Sequence, residues 1–548
     1  MSMATKETKL YKSTYYSGKL TNDECAMQLK LTETDVVQTL KHAITLLTDT
    51  QVAEIIETTQ NPTKAYAYSG TLKDYQTVGT AFMYYGKSVL LGDEVGLGKT
   101  VETAALINIL YEEHHRQGKP FNWLFLGEST VVAELRRKLV KFTGRYVHCM
   151  PTGEQAQVTA YRKYAETSET YSLVAPHSVM RSTSFISFCA KHTFDLIVFD
   201  ESSVLRAEKG VNEIYRNTQL LTQQCERVIL LNATPLEVSV RGFYNQLRLL
   251  DSEFLPNITA FEDMYCTKKR INGVYKVTGA KNLDILRKAI SLRYIARTRK
   301  QFEATYEDNH TRLVLLEPCA VQRKLAKVTS LWQQLSDYPP AIQREVPATL
   351  ENVPKAWGLL AVLNRVCKPK SCNLVLVYIK FRECQAYIQE MLTQHGYSVV
   401  VLNGSTPTKK RIDYLDKARA GVYDIVLTNT MRSFDLSECK HCILYTIDTT
   451  PLSAVQFEGR ITRDFDVVGK TVWLLCQQGR ESKALYTLAR DRAIVAEKAT
   501  THSESLYLRA LIDNTADIIN VSAGEYTKTP VINIKENNTD TQGDAENG

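Results

Sequence analysis

The chain has 548 residues, a formal net charge of +7, 44% hydrophobic residues and 23% charged residues. A chain of this length is too long to fold around one hydrophobic core, so we expect about three to four compact units. No apolar run approaches the roughly 18 residues needed to cross a bilayer, and the polar amino terminus lacks a secretory signal, so we expect an intracellular protein without membrane contact.

Charge and cysteine usage narrow the partner and the compartment. Residues 535–548 hold one lysine and four acidic residues, so the rest of the chain carries +10. This excess favours a polyanion such as nucleic acid, although many basic proteins bind none. The 12 cysteines are scattered singly, which indicates reduced thiols in a cytosolic compartment rather than disulfides.

The first part of the chain begins with a helical pattern and then alternates strands with helices. Apolar residues follow Thr32, a candidate N-cap, at helical spacing, so residues 1–65 are predicted to be a helical N-terminal segment. Residues 66–316 are predicted to be a parallel α/β domain, because buried strands of this class are continuous apolar runs. Such runs occur at residues 89–91, 123–126, 196–199 and 228–231.

The rest of the chain repeats this pattern after an interruption. Residues 317–368 are predicted to be a helical inter-domain connection broken by prolines. Residues 369–500 contain a second series of apolar runs and are predicted to be a second parallel α/β domain. Residues 501–548 form a C-terminal extension whose polar end lacks apolar periodicity, so a disordered tail is expected.

A phosphate-binding loop is predicted between the first strand and the following helix. Such a loop needs backbone N–H groups near the phosphates, a lysine for the β- and γ-phosphates and a hydroxyl for magnesium. Gly96 and Gly98 permit the close approach, Lys99 supplies the cation and Thr100 the magnesium ligand. The predicted nucleotide-binding residues of the loop are Asp93, Glu94, Val95, Gly96, Leu97, Gly98, Lys99 and Thr100.

Two carboxylates follow the apolar run that ends at Phe199. Hydrolysis of ATP with Mg2+ needs one carboxylate for the metal and one to activate water, at the carboxyl end of a parallel strand. We assign Asp200 to magnesium, through its water shell, and Glu201 to the attacking water as general base. A surface turn is the alternative, but the position about a hundred residues after the loop favours the catalytic interpretation.

The second domain offers two arginines in the segment Gln-Phe-Glu-Gly-Arg-Ile-Thr-Arg at residues 456–463. A guanidinium can bind a triphosphate through two parallel hydrogen bonds and neutralise the charge that grows as the γ-phosphoryl group leaves. Arg460 and Arg463 are therefore the predicted arginine fingers. Together with Lys99 and Glu201 they are the predicted catalytic residues.

These motifs, taken with three others, resemble the Swi/Snf-like group of superfamily 2 helicases, including the bacterial RNA-polymerase-associated ATPase. The loop Asp-Glu-x-Gly-x-Gly-Lys-Thr is the form this group shows. Leu-Lys-Asp-Tyr-Gln at residues 72–76, Leu-Asn-Ala-Thr-Pro at 231–235, Phe-Tyr-Asn-Gln-Leu-Arg-Leu-Leu-Asp at 243–251 and Gln-x-x-Gly-Arg-x-x-Arg at 456–463 extend the resemblance. It covers about residues 70–480, without accessory modules, as in compact phage and bacterial members.

The resemblance implies two tandem RecA-like domains, ATP and Mg2+ as cofactors, and a motor that translocates on DNA, with duplex DNA favoured and RNA less so. It implies adenine recognition by Gln76 and coupling of hydrolysis to movement by Thr234 and Gln456. It assigns backbone contacts with nucleic acid to polar loops at residues 127–130, 404–406 and 428–430, where plain turns are an equal alternative. It further implies a cytoplasmic or nucleoid location, in the host cytoplasm if a phage encodes the chain, and partners in replication, repair or transcription.

Other interpretations stay open. A strand-separating helicase on DNA or RNA needs a wedge that the sequence does not identify. A non-catalytic scaffold would have no need for an intact lysine, Asp-Glu pair and arginines. The group's Gly-Gln after the last arginine is replaced by Asp464-Phe465, so superfamily membership is firmer than subgroup membership. Cys439 and Cys442, with Cys367 and Cys372, have zinc-like spacing, but their place at an apolar strand favours a structural role.

Overall fold

The computed structural model describes most of the segment between residues 72 and 532. The described residues are 50, 53, 72–129, 131–150, 159–160, 170–206, 212–233, 235, 240–252, 257–271, 273–297, 310–325, 349–371, 373–429, 436, 438–447, 457, 470–493 and 506–532. Apart from Thr50 and Ala53, the predicted N-terminal segment lies outside them, and so does the predicted tail from residue 533 onward.

The first domain is built on a parallel sheet of seven strands. The strands are β1 (Ser88–Leu91), β2 (Trp123–Gly127), β3 (His148–Cys149), β4 (Ser172–Pro176), β5 (Leu196–Phe199), β6 (Arg227–Leu231) and β9 (Tyr294–Ile295). Their order is β3-β4-β2-β5-β6-β1-β9, and every pairing is parallel. The helices are α1 (Asp74–Gly86), α2 (Lys99–Arg116), α3 (Val132–Thr143), α4 (Thr183–Cys189), α5 (Glu213–Thr222), α6 (Val240–Leu250), α7 (Ile258–Tyr265) and α8 (Leu283–Ala289).

The central strands of this sheet are mainly apolar because helices cover both faces. In β5, Ile197 and Phe199 contribute to one core cluster, whereas Leu196 and Val198 contribute to the other. All four side chains are buried. A strand covered on both sides has no solvated face, so alternation with polar residues is lost. The continuous apolar runs in the sequence predicted this arrangement, and the structure confirms it.

The first domain also carries an antiparallel hairpin between α7 and α8. It consists of β7 (Cys266–Ile271) and β8 (Val274–Ala280), which pair only with each other. Its base packs on the first-domain core through Cys266, Val277 and Ala280. The hairpin is therefore an insertion attached to the domain and not a part of its sheet.

The second domain repeats the parallel sheet with seven strands. They are β10 (His310–Leu316), β11 (Val375–Tyr378), β12 (Val399–Leu402), β13 (Ile425–Thr428), β14 (His441–Leu444), β15 (Thr471–Gln477) and β16 (Asp517–Val521), in the order β12-β13-β11-β14-β15-β10-β16. The helices are α9 (Ala320–Leu325), α10 (Pro354–Val366), α11 (Arg382–Gln394), α12 (Thr408–Arg419), α13 (Arg480–Thr487) and α14 (Leu506–Ile512). The predicted class, two tandem parallel-sheet α/β domains, is confirmed.

The second sheet recruits segments that the sequence placed elsewhere. Residues up to 316 were assigned to the first domain, but β10 pairs with β15 and β16 in the second sheet. The predicted connection contains α10, whose Trp357 and Leu360 are buried in the second-domain core. β16 comes from the predicted C-terminal extension. Strand pairing at such distances leaves no local signal in the chain, which explains the difference.

Among the described residues, no helix combines the length and the apolar character that crossing a membrane requires.

Candidate functional site

The phosphate-binding loop predicted from the sequence joins β1 to α2. Gly96 and Gly98 have φ values of 93° and 92°, in the left-handed region that favours glycine. The carbonyl of Gly98 accepts hydrogen bonds from the N–H groups of Val101 (2.7 Å) and Glu102 (3.1 Å), which starts the helix. Lys99 and Thr100 are therefore the first two residues of α2, where free N–H groups and the helix dipole favour an anion.

Lys99 lies near the carboxylates that were predicted from the sequence to share its nucleotide site. Its Nζ donates to the carbonyl oxygens of Asp93 (2.6 Å) and Glu94 (3.4 Å). Burial lowers the pKa of Lys99, while the charges of Asp93, Glu201 and Asp200 oppose that shift. The fold thus brings Lys99 close to Asp200 and Glu201, about a hundred residues away in the chain.

Asp200 and Glu201 follow β5 at the carboxyl edge of the sheet. The N–H of Asp200 donates to the Leu126 carbonyl (2.9 Å), and His177 Nε2 donates to the Asp200 carbonyl (2.8 Å). Glu201 has φ 49° and ψ 53°, an uncommon conformation for a residue with a side chain. Its N–H donates to Asp200 Oδ1 (3.0 Å). This bent connection holds the two carboxylates beside the loop, and strained residues of this kind cluster at functional sites.

A buried arginine that the sequence did not identify fastens the start of the loop. Arg297 Nε donates to Asp93 Oδ1 (2.9 Å) and Oδ2 (3.1 Å), and its backbone N–H donates to Asp93 Oδ1 (3.0 Å). Its Nη2 reaches Glu102 Oε2 (2.8 Å) and Asp93. The exposed fraction is 2% for Arg297 and 0% for both carboxylates. Arg297 begins a basic run, residues 297–300, which fits either a turn of the Swi/Snf-like group or a solvated charged face. The structure buries Arg297, and residues 298–300 lie outside the described part.

One guanidinium faces two carboxylates in this cluster, and the imbalance changes their protonation. Asp93 accepts the bidentate pair. Burial raises the pKa of Glu102 to about 8, and Arg297 opposes that shift incompletely. The pKa of Arg297 is raised, because the attraction of Asp93 and Glu102 outweighs the opposing effect of burial. Burial thus favours the protonated form of Glu102, whereas Arg297 favours its carboxylate.

The space around this cluster admits no extra atom. A methyl group at Gly79 of α1 would collide with the side chains of Glu102 and Arg297. The Tyr75 carbonyl also accepts a hydrogen bond from Arg297 Nη1. Hence α1, the phosphate-binding loop and Arg297, two residues after β9, form one unit held by charge-assisted hydrogen bonds.

The remaining loop residues and Gln76 line the same edge. Gln76 Nε2 donates to the Leu97 carbonyl (3.1 Å), and Gln76 Oε1 accepts from the Lys73 N–H (3.1 Å). The N–H of Glu94 donates to the Arg297 carbonyl (2.9 Å). Val95 and Thr100 are half-buried, and Leu97 is buried. Gln76 thus lies next to the loop, and its adenine-reading role stays a prediction, as does direct nucleotide binding by Asp93.

Gln246 of α6 connects the carboxylate loop to the loop predicted to couple hydrolysis to movement. Its Oε1 accepts from Ser202 Oγ (2.7 Å) and lies 3.5 Å from Asn232 Nδ2, while its Nε2 donates to the Pro235 carbonyl (3.1 Å). The exposed fraction of Gln246 is 0%. Thr234, between Asn232 and Pro235, lies outside the described residues. Gln246 belongs to the family motif at residues 243–251, and nothing in the sequence indicates these contacts.

In the second domain, the structure describes one residue of the arginine motif. Phe457 is fully buried and packs on Tyr378 at the end of β11, with ring centroids 5.7 Å apart. Gln456, Arg460 and Arg463 lie outside the described residues, so their roles stay predictions. Phe457 itself lies near the carboxyl end of β11 in the second sheet.

The loops predicted to meet nucleic acid follow strands at the carboxyl edges of both sheets. Residues 127–129 start at the last residue of β2, 404–406 follow β12, and 428–429 start at the last residue of β13. Thr130 and Thr430 lie outside the described residues. Gly404 and Ser405 are exposed, and Asn403 Oδ1 accepts from the Ser405 N–H (3.0 Å). Arg411, which the sequence did not single out, donates to the Asn403 carbonyl (2.9 Å) beneath this loop.

The cysteines considered as zinc ligands are buried in the second domain. Cys367, Cys439 and Cys442 have exposed fractions of 0–1%. Burial raises the pKa of Cys367 to about 11. In the part of the chain that the structure describes, no three histidine, cysteine or acidic side chains are placed to hold a metal. Cys372 lies outside that part.

A phosphate-binding loop, a strand-end Asp-Glu pair and a second parallel-sheet domain together define a two-domain P-loop protein of the helicase type. Residues 10–339 match the family described as SNF2-related domain, and residues 358–464 match the helicase conserved C-terminal domain. The first match covers more than half of the chain, so the chain belongs to the SNF2-related family. The resemblance to the Swi/Snf-like group is thereby confirmed.

Individual relatives are distant. The chain is 21% identical, over 79% of its length, to the fruit-fly SWI/SNF-related matrix-associated actin-dependent regulator of chromatin subfamily A-like protein 1, of which 57% is covered. It is 24% identical to an uncharacterized ATP-dependent helicase, YqhH, of Bacillus subtilis, with 69% of the chain and 70% of the relative covered. It is 21% identical to human DNA repair and recombination protein RAD54B, with 76% and 53% covered.

The chain therefore spans about half the length of the fruit-fly and human relatives. Among solved structures, the Sulfolobus solfataricus SWI2/SNF2 ATPase core in complex with double-stranded DNA aligns with 86% of this chain and 99% of its own, at 16% identity and a TM-score of 0.38.

Proposed function

We propose that the chain hydrolyses ATP while translocating on DNA, with duplex DNA as the track, and remodels DNA or displaces bound proteins. One observation carries the proposal. Lys99, on the loop after β1, lies close enough to Asp200 and Glu201, after β5, for their charges to oppose the effect of burial on its pKa. A cation for phosphate and a carboxylate pair for metal and water thus meet at one sheet edge, as ATP hydrolysis requires.

The residues at this edge fit a magnesium-bound triphosphate. The N–H groups at the start of α2 and the two left-handed glycines suit phosphate oxygens, and Lys99 would exchange the carbonyls of Asp93 and Glu94 for the β- and γ-phosphates. Thr100 and Asp200 would hold Mg2+, which neutralises phosphate charge when bound. Glu201 would orient and deprotonate the attacking water.

Movement requires that hydrolysis changes the relation between the domains. Arg460 and Arg463 would complete the site from the second domain, so that ATP draws the domains together and hydrolysis releases them. Gln246 already joins the carboxylate loop to Asn232 and Pro235, which lie on either side of Thr234 in the chain. This contact supports a direct path from Glu201 through Ser202 to the coupling loop, with Gln456 serving the second domain.

DNA is the proposed track for two reasons. Two relatives carry names that refer to chromatin or to DNA repair and recombination. The exposed loop at Gly404 and Ser405 and the loop after β2 offer hydroxyl and N–H groups at the carboxyl edges of their sheets, and contacts of this kind position proteins on phosphate backbones. A cytoplasmic or nucleoid location and partners in replication, repair or transcription belong to the same proposal.

The test is ATPase turnover with double-stranded DNA, single-stranded DNA, RNA or no nucleic acid. We expect turnover to rise severalfold with duplex DNA and to vanish in Lys99→Ala and Glu201→Gln, while the exposed Lys191→Ala variant behaves as the wild type. A triplex-displacement assay on duplex DNA then reports translocation. Equal turnover with and without every nucleic acid would refute the proposal.

A further inference from the structure

The outer part of the hairpin β7–β8 is exposed and strongly basic. Residues 266–281 contain five lysines and arginines and no acidic residue. At the outer end, Val274 and Tyr275 have exposed fractions of 62% and 69%. An aromatic ring and a branched aliphatic side chain gain nothing from water, so their exposure at the end of a two-stranded arm indicates a contact surface.

The strand register places like charges directly opposite each other. Lys269 lies directly opposite Lys276, which is the like-charged pair. At the next position, Arg270 lies opposite Tyr275. Like charges at directly opposed positions destabilise an antiparallel pair. Among the described residues, no acidic side chain forms an ion pair with Lys269, Arg270 or Lys276. The arm therefore carries a repulsion that an external anion would remove.

The base of the hairpin is tied to the helix that follows the coupling loop. Glu262 Oε1 accepts from Arg241 Nε (2.5 Å), and Glu262 Oε2 accepts from Lys268 Nζ (3.0 Å). Lys268 also reaches Asp263 (2.9 Å). Arg241 is the second residue of α6, the helix that carries Gln246. A force on the arm thus reaches the helix that contacts the carboxylate loop.

We propose that residues 266–280 form a DNA-contacting arm that binds phosphates through Lys269, Arg270 and Lys276 and stacks Tyr275 on a base at a junction between duplex and single strand. The inference rests on the proposed function in that DNA is the track. A junction is the fitting site because base faces are open there and covered inside a duplex. Stacking of a base on an aromatic side chain depends little on sequence, because every base has an open face.

Charge reversal at Lys276 separates DNA binding from folding. Lys276→Glu gives Lys269 an opposite charge, so the hairpin should melt no earlier than in the wild type, while two phosphate contacts are lost. With about 0.9 counterions released per phosphate of duplex DNA, the plot of log affinity against log salt should become shallower by about 2. Between about 50 and 200 mM salt, wild-type affinity should then fall about tenfold more than that of the variant.

Lys191→Glu is the matched control, because Lys191 is an exposed lysine on the turn between α4 and β5, before the amino end of that strand. It should leave the salt slope unchanged. Tyr275→Ala should remove the preference for forked over blunt DNA, and Tyr275→Phe should keep it.

Direct binding by the full chain without ATP keeps this test independent of the proposed function. Absence of DNA-stimulated turnover in the wild type would refute the motor while the salt slopes still decide the arm. A wild-type salt slope in Lys276→Glu would overturn the inference. If Lys276→Glu instead lost binding to an acidic peptide while its DNA binding stayed intact, the inference would also be overturned, and the arm would be assigned to a protein partner.

Discussion

Replacing Arg297 with methionine should destabilise the first domain more than the loss of any surface ion pair. Methionine keeps an unbranched chain of similar length and removes every side-chain hydrogen bond to Asp93, Glu102 and the Tyr75 carbonyl. Both carboxylates have an exposed fraction of 0%, so they would remain buried without their cation. Breaking a buried ion pair in this way costs about 3–5 kcal/mol.

Thermal melting measures this cost. A change of about 3–5 kcal/mol in a domain of roughly 230 residues lowers Tm by about 6–20 °C. As a control, Arg216→Met at an exposed position of α5 should have the same Tm as the wild type. The triple variant Arg297→Met, Asp93→Asn, Glu102→Gln should recover most of the loss, because no buried charge remains. The reasoning is refuted if Arg297→Met melts like the wild type, or if the triple variant melts no higher than the single one.

Three further outcomes follow from the buried polar groups. The pKa of Glu102 is raised to about 8, so its stabilising contribution is complete below about pH 4.5 and is lost as pH rises through about 8. In thermal melts across that window, the stability of the wild type should therefore fall relative to that of Glu102→Gln, by at most about 1.4 kcal/mol per pH unit. Gln246→Leu strands its partners in both loops, so DNA-stimulated kcat should fall about tenfold with the KM for ATP unchanged; an equal rise in KM would contradict a coupling role. Lys355→Met leaves Glu481 buried without its cation and should cost about 3–5 kcal/mol in urea denaturation, with partial recovery on adding Glu481→Gln.

The phosphate-binding loop and the strands could be predicted because their causes are local. Gly96 and Gly98 adopt left-handed φ values that other residues rarely take, so glycine at both positions indicates the loop. Continuous apolar runs such as residues 196–199 indicate strands that helices cover on both faces. Asp200 and Glu201 follow such a run directly, and the carboxyl edge of a parallel sheet collects functional residues. Backbone conformation and burial alone determined these features.

The remainder depends on pairings between distant residues. Asp93 and Arg297 are 204 positions apart, and a basic run such as residues 297–300 is typical of a solvated surface. β10 ends in a short apolar run that fits either sheet, and β16 mixes polar and apolar residues with only Val521 buried, so the sequence could not assign them to the second sheet. Ser202 and Gln246 are polar residues of no special pattern. One available signal was Glu102, an acidic residue in the first turn of α2.

Asp93 illustrates how one residue carries both kinds of information. In the sequence it marked a branch of the helicase superfamily, because it replaces the usual first glycine of the loop. In the structure its carboxylate binds the side chain and the backbone N–H of Arg297, two residues after β9, the last first-domain strand that the structure describes. Thirteen residues later the chain enters β10 of the second sheet.

The start of the phosphate-binding loop is thus fastened to the point where the chain leaves the first domain. Lys99 contacts the Asp93 carbonyl from the other side of the same residue. A displacement of the inter-domain segment would act on Arg297, then on Asp93, and from there on the carbonyl that holds the lysine. Because removing one partner of a buried ion pair is costly, the Arg297–Asp93 pair fixes the segment just after β9 to the loop predicted to bind phosphate.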